Sequence, residues 1–165
     1  MSIDEIRKDL IEAQKTQDEL TVSVLRMLLA AITNKEKEKR IYVGVNDPEL
    51  SAAELDKMSK LNEEELKEVI ASEVKKRRDS VSSFEKGGRS DLAEKEQKEL
   101  EILKKYLPPE LTESEIRKIV ETAAAEIGAN GEKDLGRLMQ IIIPQTKNRA
   151  DGYLVGQIVK EVLGK

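Results

Sequence analysis

Four cations in the last third of the chain are the residues best placed to do chemistry. Lys133, Arg137, Lys147 and Arg149 stand among three glycines, Gly128, Gly131 and Gly136. Cationic side chains beside helix N-termini hold phosphates through charge and through backbone N–H groups. Glycines let another backbone approach closely. The segment 128–165 carries six bases against four acids, although the whole chain has a net charge of −4. A plainer reading stands beside this one. Gly128 caps the end of a helix, Gly136 allows two helices to pack closely, and the bases are solvated surface.

Other charged residues invite the same comparison. Arg26 lies among Leu25, Met27, Leu28 and Leu29. An Arg beside a core-facing stripe needs a carboxylate or a snorkelling path. A structural salt bridge to a Glu of the third or fourth helix is expected, with a ligand-anion site as the alternative. Lys75-Lys76-Arg77-Arg78 is the densest basic run. Consecutive helical residues point in different directions, so four bases cannot share a face. A solvated helix with one of the two Arg drawn inward is expected. Arg89 with Asp91, and Arg149 with Asp151, resemble catalytic pairs. Asp91 in the first turn of one helix and Asp151 near the start of another would instead satisfy orphan N–H groups.

The missing residue types narrow the options. The chain has no His, no Cys and no Trp, one Phe and three Tyr. Imidazole cannot act as base or ligand, and there is no thiolate, disulfide or structural zinc site. Acid–base work would fall to carboxylates, Lys or Tyr. No metal-ligand set, P-loop, nucleophile elbow or dinucleotide fingerprint is present, and no cofactor is expected. Base stacking in the tail has only Tyr153 to use, so RNA contact there would read backbone and shape.

The elements that must position these residues are helices. Ser2 with Glu5 forms a capping box before Ile3, Ile6, Leu10 and Ala13, predicting a helix over 2–15. Thr16 with Glu19 repeats the box before the stripe Leu20, Val24, Met27, Leu28, Ala31 and Ile32. That second helix is expected to end in the charged run 34–40. Residues 41–60 read as a loop with turn formers at 42–48, and Ser51 to Met58 as a short helix. Asn62 with Glu65 opens a long helix that Gly87-Gly88 stops. Ser90 caps another, closed by Pro108-Pro109. Thr112 with Glu115 opens the next, ended by Gly128. Leu135 to Ile142 follow, with Pro144 ending or kinking the helix, and 154–162 form the last. The reading is all-α and multihelical: a helical domain over 1–107, then a small three-helix domain over 110–165. The first residues do not make a signal peptide, and no apolar run nears a membrane span. A cytoplasmic protein with no membrane partner is expected.

Several stretches carry a resemblance. They are Leu25-Arg26-Met27-Leu28-Leu29-Ala30-Ala31-Ile32, Arg77-Arg78-Asp79-Ser80 and Phe84-Glu85-Lys86-Gly87-Gly88-Arg89-Ser90-Asp91-Leu92-Ala93. Tyr106-Leu107-Pro108, Asp134-Leu135-Gly136-Arg137-Leu138-Met139 and Arg149-Ala150-Asp151-Gly152 follow. In their order and spacing the chain resembles the YqeY family. Its part after the prolines is similar to the tail domain of the GatB subunit of tRNA-dependent amidotransferases. Residues 41–60 depart from the family's shorter connection. The resemblance implies two helical domains. It also implies a tail that engages tRNA or a tRNA-handling protein, and the local positive charge makes Lys133, Arg137, Lys147 and Arg149 the expected contacts. Two rival readings remain: an enzyme acting on carbon–nitrogen bonds with glutamine as amide donor, and a protein-binding helical module.

Overall fold

The computed structural model describes residues 2–164, and among them every regular element is helical. The helices are α1 (Ile3–Lys15), α2 (Glu19–Asn46), α3 (Ala52–Met58), α4 (Glu63–Lys86), α5 (Ser90–Lys104), α6 (Glu113–Ile127), α7 (Leu135–Thr146) and α8 (Gly152–Leu163). One turn of 3-10 helix, Glu132–Asp134, leads into α7. The all-α expectation holds. The chain forms two compact units, Met1–Leu107 and Pro108–Lys165.

Local chemistry sets most boundaries. Ser2, Ser51, Asn62 and Thr112 each cap a helix, and in each case the Glu three residues on bonds back to the cap. At α6, Thr112 Oγ1 accepts from Glu115 N (3.3 Å), and Glu115 Oε2 accepts from Thr112 N (2.8 Å). Gly128 ends α6 at φ 61°, where a Cβ would be strained. Two predicted caps move. Asp18, not Thr16, caps α2, because its carboxylate takes both Thr21 N (3.0 Å) and Thr21 Oγ1 (2.7 Å). Thr16 instead closes α1. Arg89, not Ser90, stands before α5, and Ser90 is already helical. The proline in α7 does not end it. The helix runs on to Thr146, where the Gln145 and Thr146 side chains donate back to Ile141 O and Ile142 O.

The largest departure is α2, which runs through 41–46 and stops only at Asp47, before Pro48. Tertiary contact overrides the local loop signals. α3 folds back along this stretch, with Leu55 Cδ2 3.5 Å from where a Gly44 Cβ would sit. Arg40 pairs with Asp56. Lys39 Nζ reaches both Lys60 O (2.9 Å) and Glu65 Oε2 (2.6 Å).

Each unit has its own core. In the first, Ile6, Val24, Leu25, Leu28, Ile32, Leu66, Ile70, Val74, Leu100, Ile102 and Leu103 pack α1, α2, α4 and α5 together. Tyr106 donates its hydroxyl to Asp9 (2.6 Å), and burial together with that carboxylate holds the phenol protonated well above its usual range. In the second, Ile116, Val120, Ala123, Leu138, Ile142, Val155, Ile158, Val159 and Leu163 join α6, α7 and α8.

The capping carboxylates make acid sensitivity predictable. The Ser51 hydroxyl lowers the Glu54 pKa, the Lys39 ammonium that of Glu65, and the Thr112 backbone N–H that of Glu115. A group depressed in the folded state stabilises above its unfolded value of 4.5. That contribution is lost as pH falls through the lower folded value. A pH series of melting temperatures should fall below the ordinary Glu range. Glu115→Gln should flatten the slope, and an unchanged slope contradicts the assignment.

Candidate functional site

The four tail cations separate into two pairs. Lys133 lies in the 3-10 turn and Arg137 in the first turn of α7, both exposed. Neither makes a hydrogen bond or ion pair among the described residues. Asp134 precedes α7 without capping it, because its carboxylate accepts from Asn130 N instead (2.8 Å). Lys147 follows the other end of α7, ten residues beyond Arg137, or about 15 Å along the helix. Lys147 is exposed but has an interaction within the chain. The structure does not gather the four into one cluster.

Arg149 has structural work. It is half-buried, its Nε donates to Pro109 O (3.3 Å), and its own carbonyl accepts from Leu111 N (2.7 Å). It thus ties the α7–α8 loop to the segment that leads into α6 from Pro108. Asp151 caps α8, accepting from Tyr153 N (2.8 Å) and Leu154 N (3.2 Å). Tyr153 is 76% exposed beside this end. Gly136 does not serve helix packing, since a Cβ there would meet nothing within 4 Å. It lies on the open face of α7 with Gln140, Ile143 and Lys147, all exposed. Spacings of four, three and four keep these in one row, with Arg137 and Pro144 flanking it.

In the first unit, Arg26 is exposed and forms no ion pair among the described residues, so the expected salt bridge is absent. Its sequence neighbours misled. Val24, Leu25, Leu28 and Ile32 make the buried stripe. Arg26 is turned roughly 150° from the centre of that stripe at 100° per residue. The arginine drawn inward is Arg77, half-buried on the Leu66, Ile70, Val74 stripe of α4. Its Nη1 lies 3.5 Å from Glu96 Oε2 and its Nε 3.1 Å from Glu99 Oε2. The Nε–H is not aligned for a hydrogen bond to Glu99, so charge carries that contact. Nη2 sits 3.6 Å from Met27 Sδ. The spacing 66, 70, 74, 77 was the signal for it. Arg89 grips Asp91 through two 3.0 Å bonds in the first turn of α5, and Asp91 is held below the usual carboxylate range by that guanidinium.

Shifted carboxylates such as Asp18, Glu54, Glu65, Asp91 and Glu115 are each explained by a cap or an ion pair. Among the described residues no group of three or more acidic side chains is placed to hold a metal ion. Among the described residues no helix is long and apolar enough to cross a membrane.

Known proteins are similar to this chain in sequence. A mitochondrial protein of Lachancea thermotolerans, altered inheritance of mitochondria protein 41, is 33% identical over 129 residues, which is 76% of this chain and 59% of its own length. Its namesake in Pyrenophora tritici-repentis is 25% identical over 162 residues, 96% of this chain and 79% of its own. That of Saccharomyces cerevisiae strain YJM789 is 28% identical over 160 residues, 97% and 67% respectively. The chain spans less than two thirds of the Lachancea protein and 47% of the one from Candida glabrata. Residues 46–163 match the family described as Yqey-like protein, which takes in α3 to α8, and the chain belongs to the YqeY family.

Proposed function

We propose that this chain is a non-catalytic helical adaptor that binds tRNA through the open face of α7. The observation that carries the reading is the pair Lys133 and Arg137, exposed and free of ion pairs at the uncapped start of that helix. Unpaired cations on an exposed turn suit phosphate by charge. Gly136 exposes backbone between them, and Tyr153 offers one stacking surface near the far end. The likeness of this unit to the GatB tail supports tRNA over other polyanions.

A filter-binding titration tests this. Wild type should retain tRNA at low salt, with affinity falling as salt rises. Lys133→Glu with Arg137→Glu should weaken binding at least tenfold and reduce the salt slope by about two. No retention at low salt, or binding indifferent to the double variant, overturns the proposal. Arg149 is a poor probe, because its substitution also loosens the loop it ties.

A further inference from the structure

From Arg40 to Met58 no residue is buried. The stretch takes in the last part of α2, the turn after it and α3. On either side the helices are firmly packed. α2 buries Val24, Leu25, Leu28 and Ile32, and α4 buries Leu66, Ile70 and Val74. The two ends of the stretch are clamped together. Lys39 Nζ reaches Lys60 O (2.9 Å) and Glu65 Oε2 (2.6 Å), and Lys60 Nζ lies 3.3 Å from Glu36 Oε2. Leu61 packs against the first core, and Asn62 caps α4. The clamp confines any opening to the residues between.

Neither helical piece of this stretch is stable by itself. α3 has seven residues. An isolated helix is marginal in water even at about 12 residues. Tyr42-Val43-Gly44-Val45 has poor helix propensity, and the last turn of α2 has no basic residue to offset the negative end of its dipole. Each piece supports the other. Leu55 Cδ2 lies 3.5 Å from where a Gly44 Cβ would sit, and Arg40 pairs with Asp56. The side chains of that pair are 40% and 63% exposed, so the ion pair contributes little. The base of the stretch is imperfectly satisfied as well. Glu36 Oε1 is buried and has no hydrogen bond among the described residues. Elements with few buried apolar contacts open first.

We propose that residues 40–60 form a strap that opens as one unit. α3 leaves α2, and residues 41–46 unwind with it, while Lys39 and Glu65 keep the two ends together. α2 then ends near Arg40. Leu50 and Leu55 come free on the same tethered segment as Ile41, Tyr42 and Val45. The strap is an order–disorder switch between two packed helices. It lies in a different unit from the proposed RNA face, so either proposal can fail without the other.

Amide hydrogen exchange of the full chain, followed residue by residue by nuclear magnetic resonance, tests it. The Asp47, Leu55 and Ser59 amides donate to Val43 O, Ser51 O and Leu55 O. They should share one opening equilibrium to within about threefold, and the core amide of Ile70 should be protected roughly a hundredfold more. Val45 is 74% exposed, so replacing it changes helix propensity and not packing. Val45→Gly should nevertheless speed exchange at Leu55 and Ser59, in the other helix, about fivefold over Val45→Ala. Leu55→Ala should in turn speed exchange at Asp47 several-fold. Unchanged chemical shifts at Ile70 and Leu103 show that the core of each variant is intact. Effects confined to the helix that carries the substitution overturn the proposal. So does protection of Leu55 and Ser59 equal to that of Ile70.

Discussion

Replacing Arg77 with Met should destabilise the N-terminal unit by roughly 3–5 kcal/mol, the usual cost of leaving one partner of a buried ion pair alone. Glu99 is 5% exposed, and its carboxylate Oε2 lies 3.1 Å from Arg77 Nε. Without the guanidinium, Glu99 is left as an uncompensated charge in a poor dielectric, which is costly. Glu96 is less critical, because at 18% side-chain exposure it keeps more water. The double variant Arg77→Met with Glu99→Leu should recover most of the loss. It removes both charges and leaves apolar volume between α4 and α5, an exchange that is often neutral or stabilising. Arg77→Lys should fall between, since an ammonium cannot reach Glu96, Glu99 and Met27 in the way a planar guanidinium does. Urea denaturation followed by far-ultraviolet circular dichroism provides the free energies. A loss below about 1 kcal/mol for Arg77→Met would mean the pair behaves as a surface salt bridge. A double variant as unstable as the single would mean the pair is held for packing shape instead.

The contrast between Arg77 and Arg26 shows how far the sequence could be read. Both stand beside aliphatic residues, and both looked able to enter a core. Rotation about the helix axis decides between them. Arg77 continues the stripe of Leu66, Ile70 and Val74, whereas Arg26 adjoins Leu25 in sequence but points away from it in space. Helix ends were legible where one side chain settles the matter, as Asn62, Thr112, Gly128 and Asp151 do. They were illegible where a distant contact settles it. Residues 42–45, Tyr-Val-Gly-Val, read as loop because β-branched residues and Gly disfavour helix. Leu55 and Asp56 of α3 outweigh that preference through Gly44 and Arg40. The tail cations were correctly seen as a basic segment. Their division into an exposed, ion-pair-free pair and a second pair at the far end depends on the length of α7 and on the carbonyl of Pro109. Neither effect shows in local composition.

Leu138→Ala should unfold the C-terminal unit while leaving the N-terminal unit folded. Leu138 is 0% exposed and packs among Ile116, Ile142, Val155 and Ile158. Truncating a buried Leu costs about 2–5 kcal/mol, the lost transfer energy plus the cavity left behind. The unit from Pro108 onward has about 60 residues, a size that buries proportionately little surface and has stability of only a few kcal/mol. The substitution therefore consumes most of what holds α6, α7 and α8 together. The N-terminal core shares no residue with that cluster, so its own contacts are untouched. The tyrosines make the distinction measurable. Tyr106 belongs to the first unit, hydrogen-bonded to Asp9, whereas Tyr153 is an exposed residue of the second. Near-ultraviolet circular dichroism should therefore report mainly the first unit, and far-ultraviolet signal should report both. At 25 °C the variant should lose roughly a third of its helical signal, the share carried by α6, α7 and α8, while the Tyr106 signal persists. A matched Leu28→Ala variant should show the converse, because Leu28 is 1% exposed in the first core. Loss of both signals together in Leu138→Ala would show one cooperative unit spanning Pro108. The chain would then be unable to present its tail to RNA as an independently folded module.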